Sequence, residues 1–192
     1  MRSRHWVVVA ALVLALGTVG PVAFADLTNG SFQTGDFTGW TEGGNFEDTG
    51  VSSNFAGYTP EDSEDYFAYL GPVGSDGTLS QSFTDVSGDD YVFSFWYDAD
   101  GTNYSDFSAY WDINEVLLLY NPAITDGWTN YTFTETGTGI DSIHFDFRDD
   151  PYYDALDNVS VAGVSPIPEP SSFLLLGSGL VALGGFRRRF LK

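Results

Sequence analysis

The stretch Tyr91-Val92-Phe93-Ser94-Phe95-Trp96-Tyr97 decides the fold of this chain. Side chains of a β-strand point alternately to its two faces. The two faces are Tyr91, Phe93, Phe95 and Tyr97 on one side, and Val92, Ser94 and Trp96 on the other. The first face is entirely aromatic, which predicts that it packs in a core. The second face is mixed, which predicts that Trp96 is exposed on the surface of a sheet.

Seven further runs rich in Phe, Tyr, Val and Thr surround this strand and are separated by Gly, Asp and Asn. They cover residues 66–70, 78–83, 107–111, 115–120, 128–133, 143–148 and 156–161. Helical periodicity is missing between Asp26 and Glu169, so the pattern predicts an all-β fold, an antiparallel sandwich of two sheets. The polar, acidic segment from Gly43 to Asp65 is predicted to be a long loop around a short edge strand.

The N-terminus has the pattern of an export signal. Two arginines precede an apolar run from Trp6 to Leu16, and Ala23-Phe24-Ala25 has the small-x-small form that signal peptidase cleaves. Residues 1–25 are therefore predicted to be a signal peptide, so that the mature chain begins at Asp26 outside the cytoplasm. Residues 26–163 are predicted to form the β-sandwich ectodomain.

The C-terminus has the pattern of a membrane anchor. An apolar run without charge extends from Ser171 to Phe186, and Arg187-Arg188-Arg189 follows it. The pattern predicts a single membrane helix within residues 171–192, with the arginines on the cytoplasmic side. Pro168-Glu169-Pro170 cannot continue a helix, so residues 164–170 are predicted to be an extended, Pro-rich stalk.

The same tail, IPEPSSFLLLGSGLVALGGFRRR, resembles the PEP-CTERM sorting tail of exported bacterial proteins. The resemblance implies that an exosortase, an integral-membrane protease, recognises a sorting motif and removes the tail. That motif consists of Pro168, Glu169, Pro170, Arg187, Arg188 and Arg189. The resemblance also implies an inner-membrane-anchored precursor that is delivered to the cell surface or extracellular matrix of a Gram-negative bacterium. An ordinary C-terminal membrane anchor is the alternative.

The acidic charge of the ectodomain excludes some classes of binding partner. Residues 26–169 contain 27 acidic residues and one basic residue, Arg148, which gives a formal charge of −26. Such a surface repels phosphate backbones and anionic lipid, so nucleic acid is excluded and the membrane is contacted only through the tail. The segment also holds 27 aromatic residues, which predicts a folded core. The chain has no cysteine, so its stability must come from packing.

The two ends of the ectodomain carry a second resemblance. Leu27-Thr28-Asn29-Gly30-Ser31-Phe32 is similar to the first strand of galactose-binding-like jelly rolls, the fold of many carbohydrate-binding modules. Leu156-Asp157-Asn158-Val159-Ser160-Val161 is similar to their last strand. The resemblance implies an all-β jelly roll in which the first and last strands lie side by side.

In such modules a structural calcium is often held between these two strands. The positions in this sequence that correspond to the calcium site are Asn29, Gln33 and Asp157, and Gln33 stands where the family usually has Glu. The resemblance therefore implies Ca²⁺ as a structural cofactor.

Aromatic side chains are the candidate ligand-binding residues, because sugar rings stack their apolar faces on flat rings bordered by polar groups. The candidates are Trp96, Tyr110, Trp111 and Trp128, and for each of them a place in the core is the alternative. Trp40 is predicted to be a core residue. No catalytic residue is assigned, because the ectodomain has one histidine, His144, and no Gly-x-Ser-x-Gly nucleophile motif.

The sequence as a whole predicts an exported, exosortase-processed surface or matrix protein. It is predicted to be non-catalytic and to bind polysaccharide, with exopolysaccharide as partner and with signal peptidase and exosortase as partners during export. Two alternatives stay open. One is a purely structural acidic matrix protein without a specific ligand, and the other is a glycoside hydrolase that uses two of the many carboxylates.

Overall fold

The computed structural model describes residues 27–62, 66–99, 104–111, 116–124 and 127–164. Within these ranges the chain forms ten strands and no helix. They are β1 (Thr41–Gly44), β2 (Gly50–Ser52), β3 (Phe67–Leu70), β4 (Gly77–Thr84), β5 (Asp90–Ala99), β6 (Tyr104–Trp111), β7 (Val116–Tyr120), β8 (Thr129–Thr136), β9 (Ile140–Asp150) and β10 (Asp154–Gly163). None of the described residues belongs to a helix that could cross a membrane. The predicted signal peptide, the stalk beyond Val164 and the predicted membrane helix lie outside the described ranges.

The strands form two antiparallel sheets of five strands each. Sheet A has the order β1-β4-β9-β6-β7, and sheet B has the order β2-β3-β10-β5-β8. The fold is thus an all-β, two-sheet jelly-roll sandwich, and all eight strands predicted from the sequence are confirmed. The described part of the segment from Gly43 to Asp65, residues 43–62, contains the end of β1 and a short edge strand, β2, as predicted.

The core lies between the two sheets and is largely aromatic. Alternate residues of β5, from Tyr91 to Tyr97, are buried against the inner face of sheet A, as the sequence pattern predicts. The rings of Phe95 and Phe145 meet edge to face at 5.2 Å, and those of Tyr97 and Phe107 stack at 3.9 Å. Aromatic pairs of this kind add to the free energy gained from burying their area.

The first loop (residues 27–40) corrects one prediction, because it contains turns and no strand. Backbone conformations with positive φ at Asn29 (56°) and Phe32 (57°) prevent an extended chain there. The predicted closeness of this loop to the last strand is confirmed, since the amide of Val159 donates to the carbonyl of Gly30 at 3.0 Å. Trp40 is buried and stacks on Phe32 at 5.7 Å, as predicted for a core residue.

A β-bulge interrupts β10 where it pairs with β5. Asp157 lies opposite Trp96 and Ser160 lies opposite Ser94, so β10 holds one more residue than its partner between these pairs. Asn158, inside the bulge, has a left-handed backbone with φ of 48°. A bulge of this type bends the strand and redirects a side chain. In β10 it turns the side chain of Asn158 towards the segment that precedes β3.

Candidate functional site

A cleft of about 520 Å³ opens on the outer face of sheet B. Its walls come from the first loop, from the segment before β3, and from β5 and β10. The residues that line it are Gly30, Ser31, Glu61, Asp62, Ser94, Trp96, Asn158, Val159 and Ser160.

The floor of the cleft is formed by the outer faces of β5 and β10. Trp96 is half-buried and lies between Asn130 on β8 and Asp157 on β10. One pair further along, the hydroxyls of Ser94 and Ser160 lie 2.9 Å apart and share a hydrogen bond. The floor therefore offers an indole beside two hydroxyl groups, the combination of apolar surface and polar edge that binds sugar rings.

One wall of the cleft is the covering segment (residues 53–62), which lies over the outer face of sheet B beside β3. The ring of Phe55 stacks on Tyr69 at 3.8 Å, and the hydroxyl of Tyr58 donates to the carbonyl of Tyr153 at 2.7 Å. The indole nitrogen of Trp128 donates to the carbonyl of Thr59 at 3.1 Å. These contacts fix the covering segment, so the wall is preformed.

The end of the covering segment is fastened by Asp157. Its Oδ2 accepts a hydrogen bond from the amide of Glu61 at 3.1 Å, and its Oδ1 accepts one from the amide of Asn158 at 2.7 Å. The side chain of Asp157 is completely buried. Burial raises the pKa of Asp157 to about 7. The two hydrogen bonds favour the charged form and oppose this increase, whereas the nearby carboxylates of Asp62 and Glu61 add to it.

Asn158 connects the bulge to the rim of the cleft. Its side-chain nitrogen donates to Oε2 of Glu61 at 3.2 Å and to Oδ2 of Asp62 at 3.1 Å. The two carboxylates are thus gathered on one side of the cleft around a single amide group.

Of the four aromatic candidates, Trp96 alone lines this cleft. Trp111 is 2% exposed and packs against Phe83 and Phe93 in the core, because its position on β6 faces sheet B. We therefore leave Trp111 out of the candidate site. Trp128 is half-buried and holds the covering segment, as described above.

Tyr110 lies on the opposite side of the sandwich, on the outer face of sheet A. Its ring meets that of His144 edge to face at 5.6 Å. His144 lies on the face opposite Ile143 and Phe145, as predicted, and its Nε2 is 2.6 Å from Oδ1 of Asp146. Neither Tyr110 nor His144 is part of the cleft.

The residues expected to hold calcium all make hydrogen bonds within the protein. The amide of Asn29 is used within the first loop, where its nitrogen donates to the carbonyls of Asp36 and Thr38. Gln33 is exposed and its amide nitrogen donates to the carbonyl of Ser31. Both oxygens of Asp157 accept backbone amides. Among the described residues no group of three His, Cys, Asp or Glu side chains is arranged to hold a metal ion.

Sequence reasoning missed most of the cleft. Glu61 and Asp62 are separated from Asn158 by 97 and 96 residues along the chain. A bulge inside a strand and a loop that folds over a sheet leave no periodic pattern in the sequence. Glu61 and Asp62 belong to a segment that the sequence shows to be polar and acidic, but their position beside Trp96 depends on the fold.

Comparisons with known proteins agree with this fold. The enzymatically active domain of tailspike protein 4 from bacteriophage CBA120 has a TM-score of 0.55 at 15% identity, over 73% of this chain and 22% of that one. The module TmCBM61, solved in complex with beta-1,4-galactotriose, has a TM-score of 0.54 at 19% identity, over 74% of this chain and 100% of the module. The CBM22-1–GH10 modules of Clostridium thermocellum Xyn10B, complexed with xylohexaose, have a TM-score of 0.53 at 13% identity, over 77% of this chain and 30% of that one.

At these identities the likeness concerns the fold, and this chain spans about a fifth of the tailspike domain. No protein with a curated description matches the sequence. Residues 166–189 match the model of the PEP-CTERM protein-sorting motif. The chain thus has a jelly-roll sandwich with the fold of carbohydrate-binding modules, followed in the sequence by a PEP-CTERM sorting motif.

Proposed function

We propose that this exported protein binds a polysaccharide in the cleft around Trp96. The observation that carries the proposal is the position of Trp96, a half-buried indole at the floor of a preformed cleft beside the hydrogen-bonded hydroxyls of Ser94 and Ser160. Stacking on an indole provides affinity, and hydroxyl groups at its edge provide orientation. The fold shared with carbohydrate-binding modules supports the proposal.

The role that we propose is binding and not hydrolysis. Hydrolysis of a glycosidic bond requires two carboxyl groups on either side of the bond, about 5–9 Å apart. The side-chain oxygens of Glu61 and Asp62 both contact one nitrogen of Asn158, so they lie on the same side of the cleft. Asp157 is buried beneath the covering segment and both its oxygens accept backbone amides.

The sorting motif supports a pathway by which the protein is exported and released from the membrane. Removal of the signal peptide followed by exosortase cleavage near Pro168-Glu169-Pro170 would release the sandwich to the cell surface or the extracellular matrix. A glycan-binding domain on that route would hold matrix polysaccharide. Its −26 charge would keep it soluble among acidic polymers.

Binding of the purified exported protein to a panel of soluble polysaccharides tests the proposal. We expect retention on at least one polymer and loss of that retention in Trp96→Ala. The matched control is Tyr110→Ala, which removes an aromatic ring from the outer face of the other sheet and should leave binding intact. If no polymer retains the protein, an acidic matrix protein without a ligand is the better explanation.

A further inference from the structure

The cleft is charged on one side only. Glu61 and Asp62 lie on the wall, whereas the floor around Trp96 is uncharged. None of the nine described residues that line the cleft is basic. A ligand that enters it therefore meets hydroxyl groups, an indole and two carboxylates.

The two carboxylates are held in place. The side-chain amide of Asn158 donates to both of them, at 3.2 Å to Glu61 and 3.1 Å to Asp62. The backbone of Glu61 is fastened from below by the buried carboxyl of Asp157. Asn158 in turn is directed by the bulge, where its φ is 48°. Carboxylates on a free loop would turn away from an approaching anion, but these are tied to the wall.

We propose that Glu61 and Asp62 are specificity-determining residues that restrict the cleft to sugar chains without anionic groups. This inference rests on the proposed function of the cleft. A uronate or sulfate in the cleft would come well within the Debye length, about 8 Å at physiological ionic strength, of both carboxylates. Like charges placed together at an interface select against the wrong partner, and the −26 charge of the ectodomain has the same sign.

The roles of the two sets of residues are separate. Trp96, Ser94 and Ser160 supply attraction that is the same for a neutral sugar and its oxidised form. Glu61 and Asp62 supply repulsion that acts on the oxidised form alone. Removing their charge should therefore change selectivity more than affinity.

The test compares polymers that share a backbone and differ in charge. Soluble glucan, galactan and mannan are each used alongside a derivative whose primary hydroxyls are oxidised to carboxylates. We expect the exported protein to bind a neutral polymer at least tenfold more tightly than its oxidised form. We expect the double variant Glu61→Gln, Asp62→Asn to bind the two forms within threefold of each other by gaining affinity for the oxidised form.

The control variant is Glu42→Gln, Asp76→Asn, which removes one exposed charge on β1 and one directly before β4, and it should keep the wild-type selectivity. Equal binding of both polymer forms by the wild type would overturn the inference while leaving the proposed function standing. An equal loss of selectivity in the control variant would also overturn the inference, because the selectivity would then depend on the net charge of the protein and not on these two residues. Loss of neutral binding in the double variant would show that these residues contact the sugar, and would also overturn it. If the wild type binds no polymer, the proposed function fails and this inference fails with it.

Discussion

Trp96 and Asp157 lie directly opposite each other on neighbouring strands, and both point to the outer face of sheet B. The indole lines the cleft, whereas the carboxyl is completely buried because the covering segment lies over it. One cross-strand pair thus supplies both the proposed ligand platform and the group that fastens the wall beside it.

The two tryptophans Trp96 and Trp111 should respond differently to truncation. Trp111→Ala empties a core position and should lower the free energy of unfolding by about 3–5 kcal/mol. Trp96→Ala removes a half-buried side chain and should cost less than about 1.5 kcal/mol. Urea denaturation measures both. A larger loss in Trp96→Ala than in Trp111→Ala would mean that Trp96 is chiefly a core residue.

Asp157→Ala should loosen the wall of the cleft. The amides of Glu61 and Asn158 lose their acceptor, and a buried amide without a partner costs about 1–3 kcal/mol. Hydrogen exchange should become at least tenfold faster at these two amides, while the amides of β4 keep their protection. Unchanged exchange at Glu61 would contradict the fastening role. Asp157→Asn, which keeps one acceptor oxygen, should give an intermediate result.

Stability should increase on acidification from pH 8 to pH 5. Burial raises the pKa of Asp157 to about 7, and burial together with the hydrogen bond that protonated Asp85 donates to Asp141 raises the pKa of Asp85 to about 6. Carboxyls in an unfolded chain titrate near pH 4, so the folded protein binds these protons more tightly and its stability falls as pH rises through 6 and 7. Each pKa unit corresponds to about 1.4 kcal/mol.

Melting temperatures measured between pH 5 and pH 8 check this expectation. Asp85→Asn and Asp157→Asn should each flatten the slope, and Glu42→Gln, on an exposed part of β1, should not. A wild-type melting temperature that rises with pH over this range would be inconsistent with protonated carboxyls in the fold.

Gly30→Ala should disrupt the contact between the first loop and β10. A methyl group at Gly30 would overlap the carbonyl oxygen of Val159, which is backbone and cannot turn aside. We expect a loss of about 1–3 kcal/mol in the free energy of unfolding. Ser31→Ala, at the next position, is the control and should cost less than about 0.5 kcal/mol. Equal losses would point to a general effect of the loop.

Measuring the intact mass of the surface-located protein tests whether both ends of the chain are removed. In a host with an exosortase, the surface-located protein should begin at Asp26 and should lack the apolar run from Ser171 to Phe186. Replacing Pro168 and Pro170 by alanine should leave the tail attached. A matrix fraction that still carries the tail in the unaltered protein would favour the simple membrane anchor.

The strands were predictable because burial repeats every second residue. On β5 the pattern from Tyr91 to Tyr97 gave the correct faces, including the outward position of Trp96. Some strands extend beyond the predicted runs, as does β8, which continues past residue 133 through Thr134, Glu135 and Thr136. These polar residues pair fully with β5 but resemble a turn in composition.

The first loop and the cleft were not predictable by the same route. Residues 27–32 read as a strand by resemblance, yet Asn29 and Phe32 adopt positive φ, which composition does not reveal. The wall of the cleft depends on hydrogen bonds between the covering segment and a bulge almost a hundred residues away. The local sequence pattern predicts which face of a strand a side chain occupies. Contacts between loops that are distant along the chain can be seen only in the complete fold.

The bulge in β10 also separates the frame of sheet B from the wall of the cleft. Asp157 and Ser160 pair with Trp96 and Ser94 on its two sides, so the loss of Asn158 would leave Val159 opposite Phe95 and every other side chain on its present face. That loss would remove the amide group that holds Glu61 and Asp62. We expect a deletion at Asn158 to leave the sandwich folded and to free the wall, so that ligand preference can change through one residue that the strand pairing does not need.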